Sequence, residues 1–201
     1  NFSDFGLHAS LLSNLNKKGF AQPTAIQDQA LEPALAGRDV LGLADTGTGK
    51  TMVFVLPILN KIISDRNETA IIIAPTRELA LQIQDETKAL AEGLGIYSCL
   101  IIGGADMRRQ LDNLRRGPSI LIGTPGRLKD LYQRGYLNLD TTKTVVLDEV
   151  DRMLDMGFVK DITLLLSLLP KQRQTLLFSA TIDTKVEAVA RQFMINPVKI
   201  S

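Results

Sequence analysis

A glycine-rich stretch at residues 44–51, ADTGTGKT, ends in a lysine followed by a threonine. Its glycines let the backbone turn tightly and point its N–H groups inward, where phosphate oxygens accept hydrogen bonds from them. A lysine at this position reaches the β and γ phosphates, and the adjacent hydroxyl holds Mg²⁺. The stretch therefore predicts a phosphate loop, and a glycine-containing turn with a chance lysine is the alternative. The residues expected to bind the nucleotide here are Thr46, Gly47, Thr48, Gly49, Lys50 and Thr51.

A second stretch, TVVLDEVD at residues 144–151, places acids after an apolar run. If that run is a strand, Asp148 stands at its carboxyl end, where it can hold Mg²⁺, partly through water. Glu149 can then orient the attacking water or take its proton. A polymerase or kinase can also place acids after a strand, and a surface acidic turn is a further alternative. With a phosphate loop in the same chain, nucleotide hydrolysis is favoured, with Lys50, Asp148 and Glu149 as the catalytic residues.

Short apolar runs alternate with longer amphipathic segments along the chain. Runs that are apolar at consecutive positions are typical of strands covered on both faces. The regular alternation favours an α/β fold with a mostly parallel central sheet and helices on both faces. Ligands bind such sheets at the carboxyl ends of the strands. The predicted strands are 39–44, 70–74, 97–102, 119–123, 144–148, 175–179 and 198–200, and the predicted helices include 11–18, 24–36, 51–63, 77–92, 106–116 and 183–193.

The composition is that of one globular domain. A chain of 201 residues with 45% apolar and 22% charged side chains suits a single large α/β domain with a real core. The net charge of +1 means that any nucleic-acid binding must come from a local surface. No apolar run is long enough for a membrane span, and the single Cys99 indicates a reducing, cytoplasmic setting. With His8 as the only histidine, a His/Cys metal cluster is excluded.

The phosphate loop does not identify the base of the nucleotide. A GTPase is expected to carry an Asn-Lys-x-Asp reader of guanine. The closest strings, NKKG at residues 16–19 and NKII at residues 60–63, lack its aspartate. A reader for the base must therefore lie elsewhere in the chain.

Seven short motifs stand in one order and together resemble the first RecA-like domain of DEAD-box RNA helicases over nearly the whole chain. The resemblance implies a RecA-like P-loop fold, ATP and Mg²⁺ as cofactors, and RNA as a partner. The signature tetrad is DEVD, in which Val150 replaces alanine and is expected to pack rather than to catalyse. The motifs are GFAQPTAIQ (19–27), ADTGTGKT (44–51), PTRELALQ (75–82), GG (103–104), TPGR (124–127), DEVD (148–151) and SAT (179–181).

The resemblance assigns the adenine reader to the N-terminal segment. In the family, the glutamine matching Gln27 hydrogen-bonds the adenine edge, and an aromatic residue matching Phe2 stacks on the ring. A planar amide offers a donor and an acceptor side by side, which fits adenine and clashes with guanine. Phe20 and Thr24 are expected to belong to the same site. The alternative is that Phe2 is a frayed end, Gln27 a solvated helix residue and Thr24 a helix cap.

Three further motifs follow predicted strands and carry glycines, hydroxyls or arginines. Backbone N–H groups, hydroxyls and guanidinium groups suit sugar–phosphate oxygens and read no bases. The family grips and bends single-stranded RNA with these residues, so the resemblance implies sequence-independent binding. Turn chemistry or a helix start is the alternative for each motif, and it is favoured for the prolines. The charged segment 106–116 is more typical of a solvated helix face than of an extension of this surface. The residues are Pro75, Thr76, Arg77, Gly103, Gly104, Thr124, Pro125, Gly126 and Arg127.

The SAT motif is implied to connect the hydrolysis site with RNA. In the family, the residues matching Ser179 and Thr181 hydrogen-bond the one matching Asp151. Capping the helix predicted at 183–193 is an equally natural role for this segment.

One RecA-like domain is expected over residues 1–201, with an adenine-recognition segment at 1–37 and a core at 38–201. The family's second RecA-like domain, with its arginine fingers, is expected after Ser201, in a protein that acts as a monomer. Because an arginine finger contributes on the order of a thousandfold in rate, this domain alone should hydrolyse ATP slowly. A DNA translocase and a non-hydrolysing RNA clamp are the alternatives. The glutamine and SAT motifs argue against the first, and Lys50 with Glu149 against the second.

Overall fold

The computed structural model describes residues 1–201 and contains one sheet of seven strands. The strands are β1 (Val40–Leu43), β2 (Ala70–Ile73), β3 (Ser98–Ile101), β4 (Ile120–Gly123), β5 (Thr144–Leu147), β6 (Gln174–Ser179) and β7 (Val198–Ile200). Their order across the sheet is β3-β4-β2-β5-β6-β1-β7, and every strand pair is parallel. The predicted α/β sheet is confirmed, and it is entirely rather than mostly parallel.

Nine α-helices connect or flank these strands, and a 3₁₀ helix (Phe2–Phe5) precedes them. Each of the six helices named from the sequence is present. Three short helices after β4 and β5 were not predicted. No helix is both long and apolar enough to cross a membrane. The helices are α1 (Ala9–Lys17), α2 (Ala25–Leu35), α3 (Lys50–Ser64), α4 (Arg77–Leu90), α5 (Met107–Arg115), α6 (Pro125–Gln133), α7 (Val150–Asp155), α8 (Val159–Ser167) and α9 (Thr184–Phe193).

Two hydrophobic cores cover the two faces of the sheet. Alternate residues of each strand point to opposite faces, because side chains alternate along a strand. On β2, Ile72 packs into the core formed with α1 to α4. Its neighbours Ile71 and Ile73 pack into the core formed with α6 to α9. Cys99 on β3 is buried in the second core, as its place in an apolar run predicts.

Buried polar side chains form a network at the amino ends of the strands, here called the amino-end network. The Asp39 carboxylate accepts hydrogen bonds from the N–H groups of Thr175 and Ile195, at 2.8 and 2.7 Å. The amide of Gln174 donates to the carbonyls of Ala34 and Arg38, both at 2.8 Å. The remaining members are Lys61, which donates to Gln174 and Thr144, and Arg173, which donates to three oxygens nearby. These bonds fix the base of the sheet.

The carboxyl ends of all the strands lie along the opposite edge, so six of the seven predicted motifs, all except GFAQPTAIQ, are gathered there. The loops after β3, β4 and β2, which are neighbours in the sheet, carry the three motifs predicted to face RNA. The loops after β5, β6 and β1, also neighbours, carry the acids, the SAT motif and the phosphate loop. Two groups of loops with different predicted roles therefore lie side by side.

Candidate functional site

The phosphate loop joins β1 to the first turn of α3. Gly47 and Gly49 adopt φ of 86° and 84°, a left-handed conformation that residues with a Cβ rarely take. The Thr48 hydroxyl donates to the Asp45 carbonyl at 2.8 Å and braces the loop from within. Because α3 begins at Lys50, its free N–H groups and the positive end of its dipole face the loop. The conformation is that of an anion-binding cradle.

Lys50 forms a buried ion pair with Asp148, which follows β5. Lys50 Nζ lies 3.0 Å from Asp148 Oδ1, and the two side chains are 5% and 0% exposed. Asp148 Oδ2 has no hydrogen-bond partner, and Lys50 Nζ has none beyond this carboxylate contact. Burial raises the pKa of Asp148 although the ammonium of Lys50 opposes that rise. Buried polar atoms are nearly always paired, so this pair is electrostatically incomplete.

Glu149 holds an unusual backbone conformation between Asp148 and α7. Its φ of 51° and ψ of 54° are left-handed, and it is one of two non-glycine residues in the chain with positive φ. Such a residue costs roughly 1–2 kcal/mol and is found at functional sites. The carboxylate lies 3.7 Å from the guanidinium of Arg152, on the next turn. Val150 is fully buried, as predicted for a packing residue.

A third acid near this pair, Glu86 on α4, was missed by the sequence analysis. Burial raises its pKa, the hydroxyl of Thr51 lowers it, and the negative charge of Asp148 raises it further. Glu86 therefore lies within electrostatic reach of both predicted Mg²⁺ ligands. Its position, nine residues beyond Arg77 in the middle of a helix, gives no sequence signal for this role.

The adenine-recognition residues are arranged differently from what was expected. Phe2 is 2% exposed and packs in the hydrophobic core, so its ring cannot stack on a base from this position. That expectation is corrected: the turn Phe2–Phe5 packs against α2 and carries the ring inward. Phe20, by contrast, is 44% exposed.

Gln27 is buried and hydrogen-bonded within the protein. Its amide nitrogen donates to the Gly49 carbonyl at 3.0 Å, and its amide oxygen accepts from Thr24 N at 2.9 Å. Thr24 also caps α2 and donates to the Thr48 carbonyl at 3.1 Å. The alternative, that Gln27 is a solvated helix residue, is thereby excluded. The glutamine motif instead braces the phosphate loop.

The loops 75–77, 103–104 and 124–127, called here the track loops, lie together at the sheet edge. The Arg77 guanidinium lies against Gly104, where an added Cβ would stand 2.6 Å from Arg77 Nη1. Arg127 Nη1 contacts Met107 Sδ at 3.2 Å, beside the start of α5. Arg77, Gly104 and Gly126 are exposed, and Gly103 and Arg127 are half-buried. These loops present guanidinium groups and open backbone on one surface.

Two residues predicted to face RNA are instead interior. Pro75 and Pro125 are buried, and Pro125 opens α6 at a position where a missing N–H costs nothing. Their side chains shape the track loops and do not line them. Thr76 accepts from Leu79 N at 3.2 Å and caps α4, while Thr124 precedes α6 without a side-chain capping bond.

The SAT segment is hydrogen-bonded to the start of α7. The Thr181 hydroxyl and N–H both donate to Asp151 Oδ2, at 3.0 and 3.2 Å. Ser179 accepts from Asp151 N at 3.3 Å and donates to the Thr181 carbonyl at 2.6 Å. Burial acts to raise the pKa of Asp151, but hydrogen bonds from Thr181 and Arg152 outweigh it and hold that pKa below its usual value. The cap of α9 is a different residue, Asp183.

The structure has no group of three or more His, Cys, Asp or Glu side chains that could hold a metal ion by themselves. Mg²⁺ commonly binds through one or two carboxylates together with substrate phosphates. The unpaired Asp148 Oδ2 beside the phosphate loop fits that second arrangement.

Comparison with known proteins identifies the fold and the protein family. The family model for DEAD/DEAH box helicases matches residues 24–189. A crystal structure of a DEAD box protein from the hyperthermophile Methanococcus jannaschii superposes with a TM-score of 0.95 at 36% identity, covering 100% of this chain and 55% of that one. A hypothetical ATP-dependent RNA helicase from Sulfolobus tokodaii superposes with a TM-score of 0.90 at 30% identity, covering 96% and 57%. The fold is RecA-like.

Curated relatives share the same description. The ATP-dependent RNA helicase CshA of Limosilactobacillus reuteri is 47% identical over 98% of this chain and 40% of its own length. The DEAD-box ATP-dependent RNA helicase CshA of Bacillus subtilis (strain 168) is 44% identical, with 98% and 40% covered. The chain therefore spans about two fifths of the length of these relatives.

Proposed function

Because this chain belongs to the DEAD/DEAH box helicase family, we propose that it is the ATP-binding half of an ATP-dependent RNA helicase. With a second RecA-like domain of the same protein, it couples ATP hydrolysis to local unwinding of RNA. The observation that carries the proposal is the buried Lys50–Asp148 pair at the start of α3, in which Lys50 Nζ and Asp148 Oδ2 have no hydrogen-bond partner. A nucleotide with Mg²⁺ supplies the missing partners for both atoms.

Different residues of the phosphate site bind different parts of a Mg²⁺-bound triphosphate. The N–H groups of residues 46–51 donate hydrogen bonds to phosphate oxygens, and the Lys50 ammonium pairs with the terminal phosphates. The Thr51 hydroxyl and the Asp148 carboxylate would hold Mg²⁺, which would supply positive charge against the phosphates. Glu86 adds a third acidic side chain to this corner.

Glu149 is the residue we assign to water activation. Its backbone is left-handed immediately before α7, and its pairing with Arg152 at 3.7 Å is loose. A carboxylate here can accept the proton of an attacking water. Since no arginine finger is supplied by this domain, hydrolysis by it alone should be slow.

Adenine recognition is assigned to Gln27 and Phe20. The exposed ring of Phe20 offers a stacking face. For the Gln27 amide to meet the adenine edge, its bond to the Gly49 carbonyl must be exchanged. Adenine binding then acts directly on the backbone of the phosphate loop, which joins base recognition to phosphate binding.

RNA is proposed to lie across the track loops. Arg77 and Arg127 meet phosphates, while Gly103, Gly104 and Gly126 let the sugar–phosphate backbone approach closely. Such contacts read no bases, so binding is independent of sequence. Thr76 and Thr124 stand at the same strand ends. We assign the coupling of RNA binding to hydrolysis to the hydrogen bonds from Thr181 to Asp151, which tie the loop after β6 to the start of α7. We place the protein in the cytoplasm and expect a monomer.

Base selectivity and turnover test the proposal together. Calorimetric titration should show that ADP binds the chain more tightly than GDP, and that Gln27→Ala weakens ADP binding by the equivalent of about 1–3 kcal/mol. Phe20→Ala should also weaken it, whereas equal affinities for ADP and GDP would rule out the adenine site.

In the protein that includes the second domain, Glu149→Gln should keep ATP affinity and lower RNA-stimulated turnover by about a hundredfold or more. Arg152→Gln, which removes only the loose partner of Glu149, is the matched control and should retain most of the turnover. Stimulation by single-stranded DNA equal to that by RNA would favour a DNA translocase, and unchanged turnover in Glu149→Gln would refute the assigned base.

A further inference from the structure

A groove of about 1010 Å³ runs between α4 and α5 along the free edge of the sheet. It is called here the α4–α5 groove. Its floor includes Leu100 and Ile102 of the β3 segment, and β3 is a terminal strand of the sheet. None of the predicted site residues lines it. The groove is therefore distinct from the nucleotide site and from the track loops.

The walls of the groove are cationic. Lys88 on α4 and Arg109 and Arg116 on α5 are exposed, and none of the three forms an ion pair. Of the two acids in the lining, Asp112 is paired at 3.3 Å with Arg115, which lies outside the groove. The other, Asp106, accepts from the backbone at the start of α5. The groove thus offers three free cations to an anionic chain.

An exposed ring and an unpaired acceptor complete the groove. Tyr97 is 71% exposed, the most of any large hydrophobic side chain in the protein. Gln110 is 4% exposed; its nitrogen donates to the Ile102 carbonyl at 2.8 Å, but its oxygen has no partner. An unpaired buried acceptor needs a donor, which a phosphate or carboxylate cannot supply. A ribose 2′-hydroxyl or a base amine can.

The groove begins where the track loops end. Ile102 and Ala105, on either side of Gly103 and Gly104, belong to its lining. Arg77 lies against Gly104 on the track side. A chain crossing the track loops therefore reaches the groove without leaving the protein surface.

We propose that single-stranded RNA passes from the track loops at Gly104 into the α4–α5 groove, where a base stacks on Tyr97 and phosphates meet Lys88, Arg109 and Arg116. The inference rests on the proposed RNA function and extends its site. Cations, a stacking ring and an acceptor for a hydroxyl are together the groups that a ribonucleotide-binding site needs.

The test measures RNA affinity of the 201-residue chain at low salt by fluorescence anisotropy. Oligouridylates of about five and about twelve nucleotides separate the track loops from the track loops plus groove. The longer oligomer should bind the parent more tightly. Arg109→Ala should weaken only the longer one severalfold and lower the slope of log affinity against log salt by about 0.7.

Two substitutions serve as matched controls. Arg66→Ala removes the same charge from an exposed arginine that forms no ion pair and lies outside the groove, and Tyr136→Ala removes a half-exposed ring elsewhere. Both should leave the affinities unchanged, whereas Tyr97→Ala should cost the longer oligomer about fivefold or more.

Arg127→Ala separates this inference from the proposed function. It should weaken both oligomers, because it acts in the track loops. If Arg127→Ala has that effect while Arg109→Ala and Tyr97→Ala match their controls, the groove proposal is overturned and the track stands. If neither oligomer binds, or Arg127→Ala changes nothing, both fail.

Discussion

The two ends of the sheet both bury charged and polar side chains, but they treat them differently. At the amino ends, Asp39 and Gln174 have every buried polar atom hydrogen-bonded. At the carboxyl ends, Lys50 and Asp148 are equally buried, yet each leaves an atom without a hydrogen-bond partner. The folded protein supplies every hydrogen-bond partner of the amino-end network, whereas the carboxyl-end pair needs a ligand to supply its missing partners.

Buried polar atoms without a hydrogen-bond partner therefore occur in this fold only at proposed ligand sites, and not in the amino-end network. The chain has three buried side-chain polar atoms without a partner: two belong to the Lys50–Asp148 pair, and the third is Gln110 Oε1 in the α4–α5 groove. All three lie at surfaces for which we propose ligands. Because an unpaired buried polar group costs about 1–3 kcal/mol, such atoms persist where binding needs them.

The largest effect is expected at the amino end. Asp39→Ala leaves the N–H groups of Thr175 and Ile195 without an acceptor, which should lower the free energy of unfolding by about 2–6 kcal/mol. Urea denaturation measures the loss. Asp45→Ala, which removes an exposed carboxylate from the phosphate loop, is the control and should change stability little. Equal losses in the two variants would contradict the structural role of Asp39.

At the carboxyl end, we expect substitution to leave the free energy of unfolding unchanged or to raise it. Replacing both partners, in Lys50→Met/Asp148→Leu, removes an incomplete buried ion pair, and the free energy of unfolding should stay the same or rise by about 1–4 kcal/mol. The single Lys50→Met variant leaves the carboxylate unpaired and should be less stable than the double variant. If the double variant is the less stable one, the pair is a structural element like Asp39.

A smaller gain is expected from the backbone at Glu149. Glu149→Gly relieves the left-handed conformation and should raise stability by up to about 1 kcal/mol while removing the proposed base. Asn196→Gly is the control, because asparagine tolerates its φ of 45° better than glutamate does. Its gain in denaturation experiments should be smaller, and a loss of stability in Glu149→Gly would show that the conformation is not strained.

The smallest effect concerns pH. Hydrogen bonds hold the pKa of Asp151 below its unfolded value of about 3.9, so its contribution to stability is present above that value and is lost as pH falls through the folded pKa. Asp151→Asn should therefore lose less stability than the parent between neutral pH and about pH 3. Because Asp151 is partly exposed, solvent reduces the difference. A steeper acid loss in the variant would reverse the assigned sign.

Much of this arrangement could be predicted from local sequence. The apolar runs locate the strands, because strands covered on both faces carry few polar residues. The phosphate loop and the acids then fall at strand ends. Helices α6 and α7 were not predicted, because their first turns lie in the TPGR and DEVD motifs, whose residues also suit strand-end loops. The order of the strands, which separates the track loops from the nucleotide site, depends on pairing between distant segments.

Residues whose role depends on tertiary packing could not be placed from the sequence. Spacing alone does not tell that Phe2 is buried and Phe20 exposed. Glu86 reaches the nucleotide site only because α4 packs beside α3. Tyr97 and Gln110 meet in one groove because β3 ends the sheet.

Titration of Mg²⁺-ADP by calorimetry tests the central claim most directly. The parent, Lys50→Met/Asp148→Leu and Asp39→Asn should be compared after their folding is verified by denaturation. The account predicts that the double variant remains folded but binds ADP at least about tenfold more weakly, since charge-assisted hydrogen bonds contribute about 1.5–3 kcal/mol. Asp39→Asn should bind like the parent. Equal ADP affinity in the parent and the double variant would contradict the account.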